Sequence, residues 1–138
     1  MKPILIDTSF IVALYNKSDR HHAKCLHVLD TMDRPAVTCE AVITESCFML
    51  RQSPGAATDL LSTIENGTLE IHFQLGRSAA LISALLEKYR DLPASFADAC
   101  LVQMADQLDT GDVFTLDSDF KHYRWRRNRA FNMLIPLN

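Results

Sequence analysis

An unbroken apolar run, Ile4-Leu5-Ile6, stops at Asp7 and gives way to a helical repeat at Phe10, Ile11, Leu14 and Tyr15. Continuous rather than alternating apolar residues are the pattern of a parallel strand covered on both faces. Residues 3–6 are therefore expected as a buried strand with Asp7 at its carboxyl end, and Asp7 or Thr8 as the cap of the helix that follows. The polar stretch Asn16-Lys17-Ser18-Asp19 ends that helix.

The same periodicities carry along the chain. Cys25, Leu26, Val28, Leu29 and Met32 form the apolar side of a second helix over about 21–33, stopped by Arg34-Pro35. A short strand over 36–38 precedes a third helix over about 40–52. Ser53-Pro54 then supplies a break, a cap and a first-turn proline for a fourth helix running to Asn66-Gly67. Residues 68–73 alternate as a strand, and 76–90 carry Leu81, Ile82, Leu85, Leu86 and Tyr89 at helical spacing. After Asp91-Leu92-Pro93, Ser95 caps a helix through about Leu108, closed by Gly111. A buried strand over 113–116 ends at Asp117, a short helix starts near Ser118, and 131–137 supply a last apolar strand. Strands alternating with helices predict an α/β fold, a three-layer α/β/α sandwich with a mostly parallel central sheet, built as one domain over 1–138. Ligands of such sheets collect outside the carboxyl ends of the strands, where Asp7 and Asp117 both fall.

Composition narrows the function classes. The chain is 48% hydrophobic and 22% charged, the balance of an ordinary globular protein without repeats. The first apolar segment is interrupted by Asp7, and no later run is long enough to span a bilayer, so a cytoplasmic location is expected. Cys25, Cys39, Cys47 and Cys100 contain no CxxC pair and read as reduced core residues. A net charge of −3 argues against coating nucleic acid by bulk charge. One local basic patch stands out, with Lys121, Arg124, Arg126, Arg127 and Arg129 interleaved with Tyr123 and Trp125; a solvated run of charges explains it equally well.

Several carboxylates do not fit a solvated face. Glu45 has Val42, Phe48 and Met49 three or four positions away, which puts it on the apolar side of its helix. It either faces a polar pocket or escapes to solvent along its own stem. Asp98 occupies the third position after the Ser95 cap, where an acid complements free helix amides, yet Leu101 and Val102 beside it are apolar. Asp117 and Asp119 both follow a strand, and capping accounts for only one of them. A covered sheet can bring Asp7, Glu45, Asp98, Asp117 and Asp119 to one edge, and carboxylates that close together repel unless protonated or neutralised by a cation. All-oxygen donors without a His or Cys cluster favour Mg²⁺ or Mn²⁺.

Taken in order, Ile6-Asp7-Thr8-Ser9, the segment from Asp19 to His22, Val42-Ile43-Thr44-Glu45, Ser95-Phe96-Ala97-Asp98-Ala99 and Thr115-Leu116-Asp117-Ser118-Asp119-Phe120 resemble the PIN-domain family. The likeness is nearest to its small ribonucleases that serve as toxins of VapBC-type toxin–antitoxin pairs, and it runs nearly end to end. The resemblance implies an α/β/α fold and a Mg²⁺- or Mn²⁺-dependent endoribonuclease site. By position, Asp7, Glu45 and Asp98 match the three core acids and Asp117 the fourth, with Asp119 as an assisting acid and Thr8 and Ser9 as hydroxyl residues that support Asp7. In that mechanism the carboxylates hold one or two divalent ions, which activate a water for in-line attack on the phosphodiester. The RNA substrate is then guided by Lys121, Arg124, Arg126 and Arg127, with stacking on Trp125 or Tyr123. An antitoxin protein and a homodimer are the expected partners, with exposed apolar positions on 76–90 and 56–64 as candidate faces.

Other classes fit less well. A response-receiver domain requires an early acidic pair and a central strand ending in Asp, and a haloacid-dehalogenase-type phosphatase requires DxD after the first strand. Here Asp7 stands alone, and the only late DxD is Asp117-Ser118-Asp119. A solitary RNA-processing PIN nuclease, and a catalytically silent PIN-fold interaction module, remain as alternatives.

Overall fold

The computed structural model describes residues 1–92 and 94–136. Its strands are β1 (Ile4–Ile6), β2 (Ala36–Thr38), β3 (Leu69–Ile71), β4 (Asp112–Phe114), β5 (Arg124–Trp125), β6 (Arg129–Ala130) and β7 (Asn132–Met133). Its helices are α1 (Thr8–Tyr15), α2 (His22–Thr31), α3 (Glu40–Met49), α4 (Ala56–Glu65), α5 (Leu75–Lys88) and α6 (Phe96–Leu108). Five strands form one parallel sheet in the order β3-β2-β1-β4-β7, and β5 and β6 make a separate antiparallel hairpin. Helices cover the sheet, as the α/β/α expectation requires.

The central strand is β1, and its three residues are all buried. Leu5 pairs with Val37 on one side and with Val113 on the other, so both neighbours are also apolar. The ladder continues one residue past the strand, where the Asp7 amide donates to the Phe114 carbonyl at 3.3 Å. Thr38 adds a side-chain bond from its hydroxyl to the Ile6 carbonyl at 2.7 Å. Asp7 is therefore pinned at the carboxyl edge of the sheet by backbone pairing before its own side chain makes any contact.

The carboxy-terminal segment is held by aromatic packing. Tyr123 meets both Tyr89 and Phe120 edge-on, and Phe120 meets Phe131 in the same way. Edge-to-face pairs of this kind contribute about 0.5–1.5 kcal/mol each beyond burial. Tyr123 and Trp125 are consequently part of the core, at 0% and 7% exposure.

Three local expectations change. The fourth helix does not start at Ser53-Pro54; those residues form a turn in which the Ala56 amide donates to the Ser53 carbonyl, and Gly55, at φ +77°, precedes α4. Gly111 does not close α6. Asp109 does, in the left-handed region at φ 53°, with the Thr110 amide bonded to the Ala105 carbonyl. Gly111 is glycine for another reason: a Cβ there meets the Trp125 indole Nε1 at 2.1 Å. The last strand is confined to β7, and Leu137, at the end of the expected 131–137 strand, lies outside the described residues, as does Pro93. Among the described residues no helix is long and apolar enough to cross a membrane.

Gly111→Ala is expected to destabilise the fold by about 1–3 kcal/mol, because a buried ring has nowhere to move. Shrinking the ring in Gly111→Ala/Trp125→Leu is expected to return part of that loss, so urea midpoints of the two single variants and the double variant must be non-additive. Simple additivity contradicts the clash.

Candidate active site

Four structural elements deliver acids to the carboxyl edge of the sheet. Asp7 is 2% exposed and caps α1, accepting from the Phe10 amide at 2.9 Å. Ser9 donates its hydroxyl to the same carboxylate at 2.8 Å, and Thr115 donates to the other oxygen. These two hydroxyls also reach the far loop: Ser9 accepts from the Leu116 amide and Thr115 from the Asp117 amide, each at 2.9 Å. One network thus ties the ends of β1 and β4 together around Asp7.

Asp98 sits in the first turn of α6 and is 8% exposed. Its amide is capped by the Ser95 hydroxyl at 3.0 Å, while its carboxylate accepts from the Tyr123 hydroxyl at 2.9 Å. The acid turns inward instead of merely dressing the helix end. Asp117 caps the 3-10 turn Ser118–Lys121 by accepting from the Asp119 amide at 2.9 Å. Asp119 is partly exposed and contributes its backbone to that cap, not its carboxylate.

Electrostatics show that these acids sense one another. Burial pushes the Asp7 carboxyl up to about 7 against the hydrogen bonds from Thr115, Phe10 and Ser9, and Asp98 pushes it further. Burial likewise raises Asp98 to about 6, opposed by Tyr123 and reinforced by the charges of Asp117, Glu45 and Asp119. Asp119 is also raised, by desolvation and then by Asp117, and the Tyr123 hydroxyl is pushed up by burial and by Asp98. Among the described residues none of the five acids forms an ion pair.

The donor chemistry suits a hard cation, since every group is a carboxylate. No hydrogen bond among the described residues occupies the second oxygen of Asp98 or of Asp117, or either oxygen of Glu45. As the side chains stand, no three of the described His, Cys, Asp or Glu residues are gathered tightly enough to grip one ion. The set fits a divalent cation in kind.

Several expected roles move. Glu45 is half-buried, but the apolar side it was expected to share is largely open, with Phe48 64% and Met49 54% exposed. Glu45 instead lines a cleft with Ala41, Thr44, Phe48, Phe96 and Ala97, next to Asp98. Thr8 does not support Asp7: its hydroxyl is buried without a hydrogen-bond partner. Ser9 holds the expected place, and Thr115 is the support that the sequence hid, although it stands two residues before Asp117.

The basic patch splits in two. Arg124 folds its guanidinium over the 3-10 turn, donating to the Lys121 and Tyr123 carbonyls at 2.8 Å, so it and exposed Lys121 stay near Asp117. Arg126 binds the Asp106 backbone carbonyl and pairs with Asp109 at 3.1 Å. Asp109 also pairs with Lys2, just ahead of β1, which fixes this end of the hairpin at the amino edge of the sheet. Along α6 the separation from Asp98 is about 12–16 Å at 1.5 Å per residue. Trp125 is buried with its indole nitrogen on the Ala130 carbonyl, and Tyr123 is spent on Asp98, so neither offers a face for stacking.

The PIN domain model matches residues 4–126. The chain belongs to the PIN domain family. Ribonuclease VapC26 of Mycobacterium tuberculosis (strain ATCC 25618 / H37Rv) is 25% identical over 136 residues, covering 97% of this chain and 93% of that protein. The crystal structure of Mycobacterium tuberculosis VapC20, described as a Sarcin-Ricin loop cleaving toxin, superimposes with a TM-score of 0.80 at 20% identity, over 91% of this chain and 98% of its own.

A pH prediction follows for the metal-free protein. Asp7 and Asp98 bind protons more tightly folded than unfolded, so their stabilising protonation is complete below the ordinary carboxyl value near 3.8 and is lost as pH rises through about 6 and about 7. Each group contributes a slope of up to about 1.4 kcal/mol per pH unit within that window. Thermal unfolding in chelator should show stability falling between about pH 4 and pH 7 by a proton-linked slope and levelling off above it. Asp7→Asn should flatten that slope, and an unchanged slope contradicts the burial argument.

Proposed function

We propose that this PIN protein is a divalent-cation-dependent endoribonuclease and the toxin of a toxin–antitoxin pair. The observation that carries the proposal is a set of uncompensated carboxylates around buried Asp7 and Asp98 at the carboxyl edge of the sheet. RNA as substrate is supported by the similar proteins, one named a ribonuclease and the other described as cleaving the Sarcin-Ricin loop.

In this proposal Asp7, Glu45, Asp98 and Asp117 are the catalytic acids and hold Mg²⁺ or Mn²⁺, with Asp119 assisting. The bound cation would lower the pKa of a water and neutralise charge on the scissile phosphate. The protein's own part is positioning. Ser9 and Thr115 fix the direction of the Asp7 carboxylate, and Tyr123 does the same for Asp98 while leaving its second oxygen open. The first turn of α6 presents its positive end where a phosphate approaches. Lys121 and Arg124 are the phosphate-guiding residues of the proposal, whereas Arg126 and Arg127 fall outside the RNA path. An antitoxin segment and a second copy of the chain are the proposed protein partners, and Leu61 of α4 and Leu81 of α5, each 53% exposed, are apolar positions open to them. A cytoplasmic setting belongs to the same proposal.

The test is cleavage of total RNA with Mg²⁺ or Mn²⁺ against chelator. Asp98→Asn and Glu45→Gln, at matched thermal stability, should lose about 100-fold or more of the metal-dependent rate. Equal rates in wild type and both variants contradict the metal mechanism. Lys121→Glu/Arg124→Glu should raise KM and reduce the salt dependence, while Arg126→Glu/Arg127→Glu should leave both nearly unchanged; the reverse pattern contradicts the assigned RNA path.

A further inference from the structure

Of the chain's aromatic rings only Phe48 and Phe96 are exposed, at 64% and 44%; every other ring is buried or half-buried. The two come from different helices, Phe48 near the end of α3 and Phe96 at the first position of α6. Both nevertheless line one open cleft of ≈ 540 Å³, together with Glu45 and Ala97. A single exposed apolar side chain is ordinary, but two aromatic rings meeting in one cleft mark a binding surface.

The cleft adjoins the acid site. Phe48 follows Glu45 by three residues on α3, a spacing that puts Cβ atoms about 5–6 Å apart on one helix face. Phe96 precedes Asp98 by two residues. A phosphate held at these acids therefore has its neighbouring base within reach of the rings. Arg51 adds the charge that a phosphate backbone requires. Its guanidinium lies 4.1 Å from the centroid of the Phe48 ring and donates to the Phe48 carbonyl at 2.8 Å. It pairs with no carboxylate among the described residues, so its charge is available to a phosphate oxygen. The next cleft along, ≈ 280 Å³ and sharing Thr44 and Phe96, is lined by Glu40 and by no Lys or Arg among the described residues, so the backbone is not drawn further that way. An apolar protein surface is the poorer occupant, because it would bury Glu45 without a compensating charge. A nucleotide brings a phosphate and its cation to the same carboxylate.

We propose that Phe48 and Phe96 are the base-stacking surface of the RNA site, holding the base of the nucleotide beside the phosphate at the acid cluster while Arg51 steadies the backbone there. Stacking of this kind takes an unpaired base, so the substrate is RNA that is single-stranded or looped at the cut. Every base has a π-face, so the contact positions the strand without reading its sequence. The inference rests on the nuclease proposal above and supplies the open rings that buried Tyr123 and Trp125 do not.

The experiment uses the full-length protein and two readouts. Mixed-sequence single-stranded RNA substituted with iodouridine is irradiated with the protein in Mn²⁺, and the cross-linked residues should be Phe48 or Phe96. Cleavage of total RNA in Mn²⁺ gives the second readout. Phe48→Leu and Phe96→Leu should each raise the apparent KM about tenfold with a much smaller effect on kcat, as expected for one lost stacking contact. Phe48→Tyr should recover most of that loss. Arg51→Gln should raise KM and lower its salt dependence, whereas Leu26→Ala, at an exposed apolar position of α2, should change neither. Cross-links that map away from both rings, or leucine variants with unchanged KM, overturn the stacking surface and leave the nuclease proposal intact. Leucine variants that alter the sedimentation of the RNA-free protein without raising KM assign the cleft to a second copy of the chain and overturn it equally. RNA that cross-links at the rings without being cleaved supports the stacking surface and overturns the nuclease proposal; protein that neither cross-links nor cleaves overturns both.

Discussion

Two carboxylates, Asp7 and Asp98, are buried in one small region, and neither is paired with a Lys, Arg or His among the described residues. Desolvation of a carboxylate is a several-unit disturbance of its pKa, and here it outweighs three hydrogen bonds to Asp7 and one to Asp98. The surrounding structure exists to hold this unfavourable arrangement. Backbone pairing fixes Asp7 at the end of β1, Ser9 and Thr115 brace its two oxygens, and the aromatic cluster of Tyr89, Phe120, Phe131 and Tyr123 delivers the hydroxyl that braces Asp98.

The division of labour among the acids follows from their surroundings. Asp7 is nearly saturated with donors and acts as a fixed point. Asp98 and Asp117 each keep one oxygen free of hydrogen bonds among the described residues, and half-buried Glu45 keeps two. Those free oxygens are the ones able to move toward a cation. The same logic explains why Tyr123 stays protonated: burial and the Asp98 charge both favour its neutral form, so it remains a donor.

Much of this was legible in the sequence because it depends on short-range pattern. The Ile4-Leu5-Ile6 run ending in Asp7, the Ser95 cap and the strand before Asp117 each encode a local element that the fold reproduces. What stayed hidden depends on tertiary contact. Thr115 gains its role only when β1 and β4 pair, and Gly111 is fixed by the indole of Trp125 rather than by the helix before it. The hairpin of β5 and β6 carries no clear sequence signal because its left-handed positions are Arg126 and Arg127, at φ 43° and 71°, where glycine or asparagine is ordinarily found; the turn's asparagine, Asn128, comes after them. In sequence five basic residues form one run; folded, Arg124 turns back onto the Lys121 and Tyr123 carbonyls while Arg126 pairs with Asp109 at the far end of α6.

The central claim is that this acid cluster is completed by a divalent cation. The most direct measurement is Mn²⁺ binding to the chelator-treated protein at pH 6, followed by the loss of the free-ion paramagnetic resonance signal together with proton release in weakly buffered solution. The account predicts saturable binding accompanied by released protons, because Asp7 and Asp98 carry protons in that range, and a marked loss of both in folded Asp98→Asn. Binding that is equal in wild type and Asp98→Asn, or binding without proton release, would contradict it.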